Sequence, residues 1–304
     1  MSKSSTRTGS VWRDYRITVV ALALATAFAL AHFTNGEIEL TDGLIYDAAL
    51  AVAPGRDPGA DSKVVVIAID QGSLGPGRFG AVPRVFLGPY FAVLIDGLFA
   101  SGAKAVGFDV IFGFAASRSE HVDAGFDRPL IDALAKHRDR TVLARTARTP
   151  VADPFMAAMF DPARDDGRDE SRNIAYAELS PSSDGVQRWV AARLEAEDAG
   201  DLPTFAAVLA EVAGARSMPP EMRLLKPAAP IESLPTYAFA DVLACIEHDP
   251  KGAAQVFRDK IVVIGSTLPE EDRKRSADRF MRWPSSGPER SATSGCNLKR
   301  LGRS

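Results

Sequence analysis

Uninterrupted apolar runs alternate along the chain with segments whose apolar residues recur at helical spacing. The apolar runs predict strands buried on both faces of a sheet, at 64–70, 103–112, 141–145 and 260–267. The periodic segments predict helices at 37–52, 89–101, 127–136, 202–214 and 236–245. This alternation predicts one α/β domain with a mainly parallel sheet flanked by helices.

Two details refine the prediction. The strand–helix–strand unit over 64–112 predicts a parallel pair of strands joined by a right-handed crossover. The segments 173–179 and 186–190 flank Asp184 and Gly185, a dipeptide typical of tight turns, and are predicted to pair as a hairpin.

An uncharged run, Ile17 to Phe33, precedes the predicted domain. Its length of about 17 residues is at the short end of what spans a bilayer as a helix. Basic residues precede the run and acidic residues follow it, which predicts a cytoplasmic tail at 1–16, a transmembrane helix at 17–34 and an exported domain at 35–280. The alternatives are a cleaved signal peptide, because Ala29-Leu30-Ala31 fits a cleavage site, and a buried core helix.

Composition excludes several classes of protein. The 304 residues are 46% hydrophobic and 25% charged, which is typical of a globular chain. A net charge of -3 offers no electrostatic case for nucleic-acid binding. The four histidines have no metal-ligand spacing, and no nucleophile elbow, Walker motif or dinucleotide fingerprint occurs. We therefore predict no catalytic residue, metal or cofactor; Cys245 is interpreted as a buried hydrophobe, and Cys296 lies in a polar tail.

Candidate binding residues lie where the predicted strands end, because parallel sheets bind ligands beyond the carboxyl ends of their strands. The candidates are Asp70, Ser73, Arg84, Asp109, Ser266 and Asp272. Converging carboxylates can hold a hard cation, bind an amine or exchange a proton, and the amides around Ser266 can face an anion. The structural alternative is that Asp and Ser after a strand cap the following turn or helix.

Several segments occur in an order typical of one family. They are LIYDAAL (44–50), VVVIAIDQGSL, Pro83-Arg84, GAKAVGFDVIF, NIAYAEL, SSDGVQR (182–188), PTYAFADVLA and KIVVIGSTLPEEDR. Over about residues 17–280 the chain resembles the CHASE-type extracellular sensory domain, second type, associated with cyclases and histidine kinases. The resemblance implies a bacterial envelope sensor that works with an output such as a cyclase or kinase, and the family has no established catalytic residues. We expect a non-enzymatic receptor with an unknown small-molecule or protein ligand.

The end of the chain departs from that family pattern. The family continues into further membrane helices and an output domain, whereas residues 274–304 contain no apolar run of that length. A disordered tail is expected at 281–304. The expected function is an input domain on the inner membrane, exposed to the periplasm or the exterior and lacking its own output domain. The alternatives are an exported metal-dependent hydrolase that uses the strand-end carboxylates, and a non-functional truncated receptor fragment.

Overall fold

A computed structural model describes the chain over thirteen segments, and the elements below fall within them. The described residues are 19–20, 22–26, 38–52, 62–75, 79, 82–165, 170–196, 200–218, 221–225, 234–268, 275–276, 298 and 301. The helices are α1 Ile38–Val52, α2 Gln71–Leu74, α3 Gly88–Ala100, α4 Arg128–His137, α5 Asp153–Met159, α6 Phe205–Val212, α7 Phe239–His248 and α8 Pro250–Phe257. The strands are β1 Val64–Ile69, β2 Ala105–Ile111, β3 Thr141–Arg145, β4 Ile174–Tyr176, β5 Val186–Gln187, β6 Trp189–Val190, β7 Arg193–Ala196, β8 Gly200–Pro203, β9 Arg223–Leu224, β10 Thr236–Ala238, β11 Ile261–Ser266 and β12 Arg275–Ser276.

The central sheet has six strands in the order β10-β1-β11-β2-β3-β4, and every neighbouring pair is parallel. The predicted α/β class with a mainly parallel sheet is therefore confirmed. The strands β1 and β2 are parallel, as predicted, but they are not neighbours, because β11 lies between them. The strand β11 comes late in the sequence but is rich in Val and Ile. Such a composition tolerates burial on both faces, which suits this strand to the centre of the sheet.

Helices cover the two faces of the sheet unequally. The larger core lies on one face, where side chains of α3, α4, α5, α7 and α8 pack against the sheet. The opposite face carries a smaller cluster in which Val208 and Leu209 of α6 pack on Ala105, Val142 and Ala175. Alternation along the strands explains both clusters, since successive side chains point to opposite faces of a sheet.

The predicted hairpin is wrong, although its turn forms. Gly185 adopts φ 75°, and the amide of Ser182 bonds the carbonyl of Val186 at 2.9 Å. The first predicted arm is instead β4, which extends the central sheet beside β3, because its three residues are all buried. The second arm divides into β5, which pairs with β12, and β6, which pairs with β9.

One predicted helix has a different start, and two short helices were not predicted. The helix expected at 236–245 begins as the edge strand β10 and becomes helical only at Phe239. The short helices α5 and α8 were not predicted, and each begins with a proline in its first turn, a position that proline favours. Tertiary packing decides such short elements, because isolated helices of this length are marginal in water.

The two ends of the chain are described only in part. Residues 22–26 of the predicted transmembrane helix are helical, and no helix in the described part combines the length and apolar character of a membrane span. Cys245 is buried, as predicted, and it is also disulfide-bonded, which was not predicted. Within the predicted tail, Leu298 is buried with the main core, and the amide of Leu301 donates to the carbonyl of Thr236 at 2.9 Å.

The helices α3 and α7 approach closely at Gly97. A Cβ atom at this position would lie 2.2 Å from Cγ2 of Ile246. We expect Gly97→Ala to lower the free energy of unfolding by about 1–3 kcal/mol, because the new methyl group overpacks the contact. In an Ile246→Ala background, Gly97→Ala should raise the free energy of unfolding by up to about 1 kcal/mol, since alanine has a higher helix propensity than glycine.

Urea denaturation of the four proteins measures this reversal of sign. An equal loss of stability in both backgrounds would contradict the proposed contact.

Candidate functional site

A cleft of about 890 Å³ opens at the carboxyl edge of the sheet. Ile69 of β1 lies beside Ser266 of β11, and the neighbouring Gly265 lies beside Asp109 of β2, so three adjacent strand ends contribute to the cleft. A volume of this size accommodates a small organic molecule. The cleft is therefore the candidate ligand site of the domain.

The cleft contains three of the residues predicted from the sequence: Arg84, Asp109 and Ser266. Arg84 begins a 3-10 turn, Arg84–Phe86, that leads into α3. Asp109 and Ser266 enter the cleft because their strands run parallel and end at the same edge. Asp272 lies outside the described residues.

Asp70 and Ser73 do not line the cleft and instead form a structural cap. The Asp70 carboxylate accepts from the amide of Ser73 at 2.8 Å and from its hydroxyl at 2.5 Å, which caps α2. The same hydroxyl accepts from the amide of Ala240 at 3.2 Å, near the start of α7. These contacts are those of the capping alternative considered for Asp70.

Aromatic side chains and one buried carboxylate form the deep wall of the cleft. Phe91 of α3 packs edge-on against Phe112, with ring centroids 5.8 Å apart, and Phe112 in turn lies 5.5 Å from Phe155. Asp127, at the start of α4, is buried and accepts from the amide and the hydroxyl of Ser117 at 2.8 and 2.7 Å. Because its hydrogen-bond donors are neutral, they supply no compensating positive charge.

The opposite wall follows β4. Glu178 accepts from the hydroxyl of Tyr176 at 2.5 Å and from the amide of Ala147 at 3.3 Å. Burial, together with the hydrogen bond and the charge of Glu178, raises the pKa of Tyr176 to about 12. Tyr176 therefore remains a neutral donor to Glu178 at physiological pH.

A second cavity of about 180 Å³ lies behind this wall. The two cavities share four lining residues: Asp109, Ala177, Glu178 and Leu179. The second cavity is also lined by Gln187 and Trp189, which flank Arg188 along the chain. The segment after β4 thus lines both the cleft and a smaller cavity, whose lining also includes the two neighbours of Arg188 along the chain.

Arg188 is buried and held by two carboxylates. Its side chain is 2% exposed and that of Asp47, in α1, is 0% exposed. Nε and Nη2 donate to the two carboxylate oxygens of Asp47 at 2.9 and 2.8 Å. Nη1 and Nη2 donate to Asp184 at 2.8 and 2.7 Å. These hydrogen bonds raise the pKa of Arg188, so its charge is permanent.

Two further features attach α1 at this point. A Cβ atom on Gly43 would lie 2.7 Å from the guanidinium carbon of Arg188, so the absence of a side chain lets the helix approach the cation. Tyr46 donates its hydroxyl to the carbonyl of Leu225, whose amide donates to the carbonyl of Arg188 at 2.7 Å. The helix α1 is therefore bonded both to Arg188 and to the segment paired beside it.

Sequence reasoning missed Asp47, Asp184 and Arg188 as interacting residues. The sequence offers a signal only for Asp47, a charged residue within the mainly apolar segment LIYDAAL. Burial of a charged side chain requires a partner. The partner of Asp47 is Arg188, which lies 141 residues away and cannot be identified from residue spacing.

The described residues include no group of three His, Cys, Asp or Glu side chains that could hold a metal ion. The lining of the cleft combines hydrogen-bonding groups, charged side chains and apolar side chains, with polar and apolar surface in similar amounts.

In open α/β folds, ligands bind in the crevice beyond the carboxyl ends of the strands. The cleft of this domain lies at that edge of its sheet. The profile of the CHASE2 domain matches residues 18–290, and the chain belongs to the CHASE2 family of extracellular sensory domains, which are found in signal-transduction receptors. The resemblance predicted from the ordered segments is thereby confirmed. No curated protein and no solved structure matches the chain.

The Arg188 cluster should contribute strongly to stability. We expect Arg188→Met to lower the free energy of unfolding by about 3–5 kcal/mol, because the buried carboxylate of Asp47 and the partly buried carboxylate of Asp184 lose their cation. The matched control is Arg193→Met, which breaks an exposed pair with Asp201 whose side chains are 45% and 62% exposed. That control should cost no more than about 1 kcal/mol.

Thermal and urea unfolding of the two variants provide the comparison. Similar small losses in both would show that Arg188 makes no special contribution.

Proposed function

We propose that the chain is the membrane-anchored, extracytoplasmic input domain of a bacterial signal-transduction receptor. It binds a small molecule in the cleft and transmits occupancy to α1, the helix that follows the predicted membrane anchor. The output partner is a cyclase or kinase, as the family resemblance implies. The observation that carries this proposal is the buried bond between Arg188 and Asp47, which joins the region of the cavities to α1.

The proposed route from the cleft to α1 passes through the smaller cavity. Glu178 and Leu179 line the cleft and the smaller cavity, and the far side of that cavity includes Trp189. The neighbouring Arg188 holds Asp47 of α1 through two hydrogen bonds. A ligand that displaces the shared wall changes the lining of the smaller cavity, which also includes Gln187 and Trp189 on either side of Arg188. Such differential contact is what a ligand needs to shift a conformational equilibrium.

Two observations support an exported domain anchored at its N-terminus. The helix α1 begins at Ile38, a few residues after the predicted anchor at 17–34. Cys245 is disulfide-bonded, and disulfides persist mainly in oxidising compartments such as the periplasm. Both agree with the inner-membrane location and the single span expected from the sequence.

The hydrolase alternative receives less support. Its strand-end carboxylates do not converge as a set, since Asp70 caps α2 outside the cleft while Asp109 lies within it. The described carboxylates include no metal-holding triad. Both functions require a cleft, but only the sensory function gives a role to the attachment of α1 through Arg188.

Filling the shared wall should mimic an occupied cleft. Ala177 lines both cavities, so we expect Ala177→Phe to change amide hydrogen exchange in α1 by ~3-fold or more in the full chain held in nanodiscs. The effect should disappear in an Arg188→Met background. Exchange is measured peptide by peptide with mass spectrometry.

The control for this experiment is Ala163→Phe, at an exposed alanine outside both cavities, which should leave α1 unchanged. Tyr46→Phe, which removes only the bond to Leu225, provides a milder background should Arg188→Met fold poorly. A response of α1 that is the same with and without these bonds would refute the transmission route.

The topology makes a separate prediction. A periplasm-active phosphatase fused after Asn35 should be active, whereas a fusion before Arg13 should be inactive, because the basic residues retain the N-terminus in the cytoplasm. Phosphatase assays on whole cells, with expression matched by immunoblot, measure both fusions. The reverse pattern would overturn the membrane orientation without bearing on the cleft.

A further inference from the structure

The outer face of α1 is apolar and exposed. Its exposed apolar side chains, here called the outer stripe, are Leu44, Ile45, Ala48, Ala49 and Val52. Ile45 is 63% exposed and Val52 is 85% exposed. The charged residue within the range 43–52, Asp47, is buried on the other side of the helix. Exposed apolar side chains gathered in one patch indicate an interaction surface.

The attachment of α1 to the domain sets the direction of the outer stripe. Gly43, Asp47 and Leu50 share one face of the helix and are all buried, because residues three and four apart lie on the same side. Arg188 holds this face through its two hydrogen bonds to Asp47. Ile45 precedes Asp47 by two residues, which is roughly 200° around the helix axis. The outer stripe therefore points away from the domain.

The outer stripe has the residue spacing of a coiled coil. Ile45, Ala48 and Val52 are separated by three and then four residues, which is the alternation of positions a and d in a heptad. Ile45 and Val52 thus occupy a positions, and in the sequence Ile38 occupies the preceding one. β-branched side chains at a are a feature of coiled coils with two parallel strands. The spacing therefore fits a second helix of the same kind.

The charges of α1 distinguish a second copy of the chain from a lipid surface. The charged residues of the helix are all acidic: Glu39, Asp42 and Asp47. Helices that lie flat on a bilayer are instead rich in Lys and Arg, which attract anionic lipids. None of the three acidic residues occupies an a or d position of the heptad, so no charge lies in the seam between two such helices. The charge pattern thus favours a second copy as the occupant.

We propose that the outer stripe pairs with the outer stripe of a second copy of this chain, so that two α1 helices form a short parallel coiled coil. The inference rests on the proposed function for its geometry, because an N-terminal anchor in each copy places both helices in one orientation at one height above the membrane. A two-fold axis along the membrane normal then brings Ile45 against Ile45 and Val52 against Val52.

The membrane also strengthens this pairing. The helix has 15 residues, so the seam between two copies is short. Confinement of both copies to one bilayer raises their effective concentration and offsets the small contact area. Since Arg188 holds the inner face of the same helix, a change near the cavities reaches the contact between the two copies.

Disulfide cross-linking between copies tests the pairing in native membranes. We expect Ile45→Cys, Ala48→Cys and Val52→Cys in the full chain to give at least ~5-fold more covalent dimer than Ala163→Cys, because residues at a and d face their counterparts. Ala163 is a matched control, since it is exposed and lies outside α1. The parent chain, in which Cys245 is already disulfide-bonded, gives the background. Non-reducing gels after mild oxidation measure the yield.

A charge on the outer stripe should separate the copies. Ile45→Lys places an ammonium group of each copy in the seam, so we expect dimerisation to weaken at least ~10-fold, whereas Ala163→Lys should preserve it. Photobleaching of fluorescently tagged full chains in native-lipid nanodiscs counts the copies. Because Ile45 points away from the domain, the circular dichroism spectrum of both variants should match that of the parent.

The contrary results differ in meaning. Cross-linking of the three stripe variants at the level of Ala163→Cys would overturn the pairing, and a dimer that persists in Ile45→Lys would overturn the outer stripe as its contact. Quenching by brominated lipid of a bimane attached to Val52→Cys would assign the stripe to lipid and overturn the second copy.

The proposed function is judged separately. The response of α1 to Ala177→Phe passes through Arg188 and Asp47 of one chain, so it should persist in an Ile45→Lys background even where the copies separate. Loss of the pairing with this response intact would refute the coiled coil alone. Loss of the response with the pairing intact would refute the transmission route alone.

Discussion

A buried guanidinium must be surrounded by acceptors, and this constraint organises the part of the molecule outside the sheet. Arg188 is 2% exposed and meets the requirement with Asp47 from α1 and Asp184 from its own turn. Removal of either carboxylate would leave the cation short of acceptors, which is costly in a buried environment. The position of α1 is therefore set by charge and hydrogen-bond geometry, and Gly43 leaves the space that this close approach needs.

The same cluster gives the domain a connection between its two ends. The residues on either side of Arg188 line the smaller cavity, and that cavity shares a wall with the cleft at the strand ends. The other partner, Asp47, lies on the helix nearest the predicted anchor. In the function proposed above, Arg188 is the residue that links the cavities to α1.

Prediction from the sequence succeeded where the pattern is long and local. The buried strands β1, β2, β3 and β11 follow from runs of apolar residues, and most helices follow from their periodicity. Prediction failed where a short segment could pair with more than one strand. The strand β4 pairs with β3 in the sheet, although the turn at Gly185 suggested a hairpin with the residues that follow the turn. For the candidate site, Asp109 and Ser266, predicted from the strand ends, and the neighbouring Arg84 line the cleft. The strand-end rule could not separate them from Asp70, whose carboxylate caps a helix.

The amino-acid sequence by itself determined the α/β class, the family to which the chain belongs and the edge of the sheet at which polar residues gather, because each depends on patterns within a few tens of residues. Only the tertiary structure decided the insertion of β11 between β1 and β2, the walls of the cleft and the pairing of Asp47 with Arg188. These depend on contacts between residues far apart along the chain, whose selection reflects packing and charge burial summed over the whole domain.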